Sequence, residues 1–340
     1  MKKHNKRLVS MDMLKGFAIF MVIVGHAVQY LVSGDYWDKG VYRVIYSFHM
    51  PLFMAISGFF AKAVIDSGKY SVNQLIAKRC WSLMMPIVVF AFVMRYVFGE
   101  YGRLINTIIY SLWFLKSALF CFVLYAVTVS LPTKRKWFPL LLSLVISQAF
   151  ILYNIKMMYP CFLAGAFLKD KLATVQQKRK EITLVSGIVW LLLVLFFDAS
   201  FWRYQPQDSL IFLTPELAMS FDWWYVMGYR LAIGLSGSLM FFGIFEWLAS
   251  RNFHNTYLGK SLNQIGRETL WIYVLQTILL ETYLARWFNF DAVPQGLFYV
   301  VIVPLTSILV LLGCMGIIKM ATLAYVFLKK TSYNFILKKY

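Results

Sequence analysis

The chain has 340 residues, 60% of them hydrophobic and only 14% charged, with 30 Phe, 21 Tyr, 11 Trp, a mean hydropathy of +0.65 and a formal net charge of +19. Soluble domains need about 25% charged residues to cover their surface, so this composition excludes a water-soluble fold and replaces the missing charge with lipid-facing surface. The basic excess does not mark a nucleic-acid binder, because Lys and Arg stand in short clusters between apolar runs, as cytoplasmic loops do under the positive-inside rule.

The apolar runs are continuous and lack the alternation of an outer-membrane barrel, so the predicted class is an all-α, polytopic integral membrane protein. Counting roughly 20 residues per crossing, ten spans begin near Asp12, Val41, Cys80, Thr107, Trp137, Ile155, Ile182, Gly228, Glu268 and Gly296. With the N-terminus inside, clusters such as Lys62/Lys69/Lys78/Arg79 and Lys169/Lys171/Lys178/Arg179/Lys180 fall on the inner side, which predicts that both termini are cytoplasmic. The run from Ile155 to Leu168 is the shortest; were it only to re-enter the membrane, the later helices would change sides. The first apolar stretch lacks an A-x-A-like cleavage site and reads as a helix that stays. Cys80, Cys121, Cys161 and Cys314 stand singly, without the spacing of a disulfide framework or a metal site. With no internal repeat or low-complexity tract, residues 1–340 read as a single integral-membrane domain whose chemical motifs concentrate in 12–116.

In the first span, Asp12, Lys15, Ile19, Val22, His26 and Gln29 follow at steps of three or four and share one face. Fourteen residues separate Asp12 from His26, about 21 Å of helix, so the charged pair marks the inner edge and the imidazole the outer half. Gly25 permits close approach of a neighbour. The second span enters from outside near Val41, placing His49 roughly 12 Å down, at a depth comparable to His26. Pro51 cannot donate to the Ser47 carbonyl, which frees an acceptor beside His49. A lone intramembrane histidine is as readily interhelical glue as a functional group. Two at matched depth, above Asp12 and Lys15, favour acid–base chemistry, because ionisable groups are costly in the bilayer and imidazole exchanges protons near neutral pH.

Trp113 falls near the same level, and Tyr46 and Ser57 are further pocket candidates. Lys78 and Arg79 open the third span and suit phosphate, although such residues also bind lipid headgroups or only set topology. The outer loop from about Asp198 to Met227 carries Trp202, Tyr204, Trp223, Trp224 and Tyr225. It reads first as an interfacial aromatic belt and second as a sugar-stacking platform with Asp208, Glu216 and Asp222 as acceptors.

Four pieces resemble the membrane acyltransferase-3 family, in particular its fucose 4-O-acetylase-like branch: DMLKGFAIFMVIVGH from Asp12, FHMPLFMAISGFF from Phe48, Arg79 with Pro86, and LWFL from Leu112. A weaker piece, IGRETLWIYVLQ, ends at Gln276, where many members carry a histidine; no role is assigned to it. The family often has Arg near the start of the first helix, where this chain has Asp12 and Lys15.

The resemblance implies an O-acetyltransferase of the bacterial cytoplasmic (inner) membrane. Its donor would be acetyl-CoA from the cytoplasm, its acceptor a hydroxyl of a surface glycan or polyprenyl-linked sugar, with membrane lipid around it and no permanently bound cofactor or metal. On that reading Asp12, Lys15, Lys78 and Arg79 line the donor's phosphate end. His26 is the general base or a transient acetyl carrier, His49 orients it, couples protons with it or polarises the thioester, and Trp113 shapes the channel. The rival reading is a transporter or flippase for a lipid-linked sugar or anion. A glycosyltransferase would use acidic residues such as Asp35 and Asp38 near the first span.

Overall fold

The computed structural model describes residues 8–32, 40–99, 104–135, 137–197, 214 and 219–337, and among these the structure is helical with no strand. The first three helices are α1 (Val9–Tyr30), α2 (Gly40–Asp66) and α3 (Val72–Tyr96). α3 starts eight residues before the predicted Cys80 because Ser71 and Gln74 form a reciprocal capping box that satisfies the first orphan amides.

The predicted fourth span begins later than expected. A short α4 (Leu104–Tyr110) stops, Leu112 adopts a left-handed conformation at φ 47°, and α5 (Trp113–Ser130) sets off anew. The carbonyls freed by this break are not left bare: buried Lys116 donates to those of Ile109, at 2.7 Å, and Ser111. The chain continues through α6 (Trp137–Gln148), α7 (Ile155–Asp170), α8 (Leu172–Gln177), α9 (Arg179–Leu195), α10 (Phe221–Ser250) and α11 (Tyr257–Arg267). Helix α12 covers residues 269–287 and α13 residues 295–337, each interrupted by π-helix, over Thr277–Leu284 and Phe298–Ile302.

Six helices among the described residues are long and apolar enough to cross a bilayer: Val9–Tyr30, Gly40–Asp66, Val72–Tyr96, Trp113–Ser130, Phe221–Ser250 and Gln295–Lys329. The other four predicted spans fall on α6, α7, α9 and α12, which are shorter or interrupted.

Small residues bring the central helices together, as expected where lipid offers no hydrophobic drive for association. Gly58 of α2 lies against the Phe162 carbonyl of α7, and Gly165 of α7 against the Ala55 carbonyl of α2, so backbone meets backbone with no room for a Cβ. Gly16 of α1 and Gly266 of α11 make the same reciprocal contact through the carbonyls of Leu262 and Asp12. Gly165→Ala is therefore expected to destabilise the protein by about 1–3 kcal/mol through overpacking. A thermal shift of the detergent-solubilised protein checks this; an unchanged midpoint would mean that the α2–α7 contact yields easily.

One end of the bundle is tied by polar side chains. Lys62 of α2 bridges Asp66 at 3.0 Å and Asp170 of α7 at 3.4 Å. Glu246 of α10 accepts from Ser10 of α1 and, at 2.9 Å, from Gln176 of α8. Asp12 and Lys15 belong to this end, and the cavity described next lies toward the other.

Candidate active site

A cavity of about 410 Å³ opens between α1, α2, α5, α7, α10 and α12. Its walls carry His26, Gln29 and Tyr30 from α1, Tyr42, Tyr46 and His49 from α2, and Trp113 from α5. The two histidines and Trp113, placed at one level by the depth argument, meet in one chamber with the pocket candidate Tyr46. The walls also carry Lys156 of α7, Arg230 of α10 and Tyr273 of α12, none of which the sequence reading singled out.

His26 is held from α12. Its Nδ1 lies 2.9 Å from Gln276 Oε1 and 2.9 Å from Glu281 Oε1. The Gln276 amide is oriented by its own donors, Nε2 bonding to Thr277 Oγ1 at 2.8 Å and the Tyr273 carbonyl at 3.2 Å, so its oxygen faces the imidazole. Both partners are acceptors, which puts the proton on Nδ1 and leaves Nε2 as the free ring nitrogen.

The π-helical stretch explains how two residues five apart reach one atom. On an α-helix they would point about 140° apart, whereas i→i+5 winding brings them to one face. Glu281, an acidic residue in the apolar run LWIYVLQTILLETYLARW, is thus the main functional candidate that the sequence reading passed over. Its cost in a membrane segment was the available signal. Gln276, to which no role was assigned, is drawn into the same contact.

His49 is held differently. Its Nδ1 donates to the Ile45 carbonyl at 2.7 Å, one turn back on its own helix, and not to the carbonyl that Pro51 frees at Ser47. This fixes the same tautomer, with Nε2 as acceptor. The Tyr46 ring stands edge-on to His49 at 4.5 Å, stacks on Tyr42 at 3.8 Å, and its hydroxyl donates to Gln29 at 2.7 Å. A Cβ at Gly25 would lie 2.8 Å from the Tyr46 ring, so the expected neighbour of that glycine is this tyrosine. On the far side the Pro51 ring packs into the space left by Gly234, where a Cβ would come within 2.6 Å, and this seats α10 beside Pro51 with Arg230 one turn away.

Other predicted residues are elsewhere. Ser57 bonds back to the Phe53 carbonyl at 2.9 Å, as a serine inside a helix does, and is not among the residues lining this cavity. Asp12, buried, and Lys15, half-buried, form an ion pair at 2.7 Å, with Lys15 also over the Phe60 ring. Lys78 lies over the Tyr70 ring at 3.2 Å and Arg79 over Phe122 at 5.3 Å. In the loop before α3, hydrogen bonds from Lys78 and Lys69 lower the pKa of the exposed Tyr70 phenol. The four predicted donor residues therefore rest in two separate settings, one on α1 and one on α3.

Of the outer aromatic loop, Trp202, Tyr204, Asp208 and Glu216 are outside the described residues, as are Asp35 and Asp38. Trp224 and Tyr225 are exposed, as an interfacial belt requires, but Trp223 is only 1% exposed and its ring carries the Lys156 ammonium at 3.7 Å. It is a buried support for Lys156 and not a surface platform.

Two curated relatives are similar to this chain. A nodulation protein NolL from Mesorhizobium japonicum is 29% identical over 302 residues, covering 80% of this chain and 76% of the relative. A nodulation protein NolL from Sinorhizobium fredii is 28% identical over 177 residues, 47% of this chain and 48% of that protein. No solved structure matches. The acyltransferase-3 family profile, described as an acyltransferase domain, matches residues 8–319, and with apolar helices long enough to cross a bilayer this chain belongs to that family as a multi-pass membrane acyltransferase.

Proposed function

We propose that the protein is an O-acetyltransferase of the bacterial cytoplasmic membrane, with ten crossings and both termini inside. It moves an acetyl group from cytoplasmic acetyl-CoA to a hydroxyl of a surface or lipid-linked glycan. The observation that carries this reading is the seating of His26, whose Nδ1 faces two acceptors on α12 and whose Nε2 is left for the cavity.

A carboxylate behind an imidazole whose other nitrogen meets the substrate is the arrangement of a general base with its orienting partner. In the step it serves, His26 Nε2 takes the proton of the acceptor hydroxyl as the oxygen attacks the thioester carbonyl carbon. The tetrahedral intermediate collapses with loss of the C–S bond, and the proton passes from Nε2 to the leaving thiolate. Glu281 balances the imidazolium charge in between. His49, with its one N–H committed to Ile45, can accept a proton but not polarise a carbonyl, so a relay role fits it better than electrophilic assistance.

The charged ties support the alternating topology. Lys62 with Asp170 joins the C-terminal ends of the second and sixth predicted spans, which must then run in the same direction. Ser10 with Glu246 joins the start of the first span to the end of the eighth. The end so formed is rich in Lys and Arg and suits the donor's phosphates, while the pantetheine arm is long enough to rise along α1 toward His26. Membership of an acyltransferase family favours transfer chemistry over the transporter or flippase reading.

Inside-out vesicles containing the protein, supplied with acetyl-labelled acetyl-CoA, should place ester-linked label in the glycan fraction and release CoA on the donor side. Label no higher than in vesicles without the protein would overturn the proposal. Within it, Arg79→Ala should raise KM for acetyl-CoA about tenfold with kcat little changed, the loss of one charge-assisted phosphate contact. An unaltered KM would remove Arg79 from the donor site.

A further inference from the structure

Two cations line the chamber around the histidines, on the side away from the Glu281 carboxylate that backs His26. They are Lys156 and Arg230, and no Asp or Glu is among the chamber's described lining residues. Lys156 is 4% exposed, and its ammonium rests on the face of Trp223. No oxygen acceptor for that ammonium is found among the described residues.

The protein treats its other membrane-embedded lysines differently. Lys116, equally enclosed, is satisfied by two backbone carbonyls where α4 and α5 break apart. Lys15 is paired with Asp12 at 2.7 Å. Both have oxygen partners and so have a structural explanation. A buried ammonium that holds only a ring face recovers a small part of the hydration it has lost. Its location makes this worse, since Lys156 sits in the first turn of α7, where the helix's own partial charge is already positive. A second cation, Arg230, faces the same space. A site that concentrates positive charge at such cost is built for an anion that arrives with the ligand.

The position of these residues says which ligand. Lys156 and Arg230 stand in the early turns of α7 and α10, and Asp170 and Glu246, at the late turns of the same two helices, belong to the tied end that carries Asp12 and Lys15. The cations are therefore at the end of the bundle away from the charged cluster assigned to CoA, and beside His26 and His49. The geometry points to an acceptor that carries an anionic oxygen group, a carboxylate or a phosphate, held by Lys156 and Arg230 while its hydroxyl meets His26. This rests on the O-acetyltransferase reading for the identity of the acceptor but not for the existence of the anion site.

The test is a binding measurement on the full chain in lipid nanodiscs with three probes: D-glucose, D-glucuronate and glucose 1-phosphate. At least one anionic sugar should bind tenfold or more tighter than glucose. Glucuronate alone would identify a sugar carboxylate, glucose 1-phosphate alone a carrier phosphate, and both together a site that reads charge. Lys156→Gln should abolish the preference and Lys156→Arg should keep it, with acetyl-CoA affinity unchanged in each as a measure of intact fold. Equal binding of the three probes, binding of none, or a preference that survives Lys156→Gln would overturn the inference. The comparison in the unaltered protein decides the matter even if a variant fails to fold. Because the measurement needs no turnover, an anion preference in a protein whose vesicles transfer no acetyl group would sink the O-acetyltransferase reading and leave the site standing.

Discussion

His26→Ala is expected to lower acetyl transfer by about 10²- to 10⁴-fold, the range that a positioned general base contributes, with acetyl-CoA binding retained. The retention follows from distance: the charged end that would hold the CoA phosphates lies about 21 Å along α1 from the imidazole, so removing the ring leaves the donor's anchor intact. His49→Ala should cost less. Its Nδ1 leans on a carbonyl of its own helix, whereas His26 is backed by a carboxylate that can balance positive charge. The comparison is made at equal membrane abundance, with ester formation and acetyl-CoA binding measured on the same preparations. Transfer that persists in His26→Ala would remove the base assignment, and equal losses in both variants would make the histidines one unit.

Much of the chamber was legible in the sequence because its first wall is α-helical and regular. Steps of three and four put His26 and Gln29 on one face of α1, and the antiparallel entry of α2 brings His49 and Tyr46 to the same depth. The same logic says less about the donor residues. Helical phase shows that Asp12 and Lys15 share a face, and the structure pairs them at 2.7 Å. Ser57 shares the apolar stretch of His49, but its hydroxyl bonds back to its own helix and it lies outside the lining of this cavity.

What could not be read comes from departures from α-helical winding and from chain reversals. Lys156 follows Tyr153 and Asn154, both left-handed at φ 56° and 54°, and it starts the shortest apolar run, where a lysine reads as an ordinary helix-end residue. Trp223 stands next to two exposed aromatics and reads with them as a belt, until helix phase turns it inward onto Lys156. Glu281 is hidden by the π-helix: at α-helical spacing it faces away from Gln276, and only the wider turn places both on His26 Nδ1.

That shared atom gives a sharp test of Glu281 as a positioning residue. Glu281→Gln preserves size and hydrogen-bonding capacity but removes the charge, and its new amide N–H can face Nδ1 and favour the wrong tautomer. The expected loss is in kcat, by about 10²-fold or more, with KM for acetyl-CoA unchanged, since a carboxylate behind a catalytic histidine acts on the transition state and not on donor binding. Glu281→Asp, which keeps the charge on a shorter arm, should recover part of the rate. The decisive variant is double. Gln276 Oε1 and Glu281 Oε1 each lie 2.9 Å from the same nitrogen, so adding Gln276→Glu to Glu281→Gln returns a carboxylate to His26 from one turn earlier on α12. Activity should rise in the double variant above that of Glu281→Gln alone. A residue that only held α12 in place would not be rescued by charge at a different position, so a double variant as slow as the single one would reduce Glu281 to a structural contact.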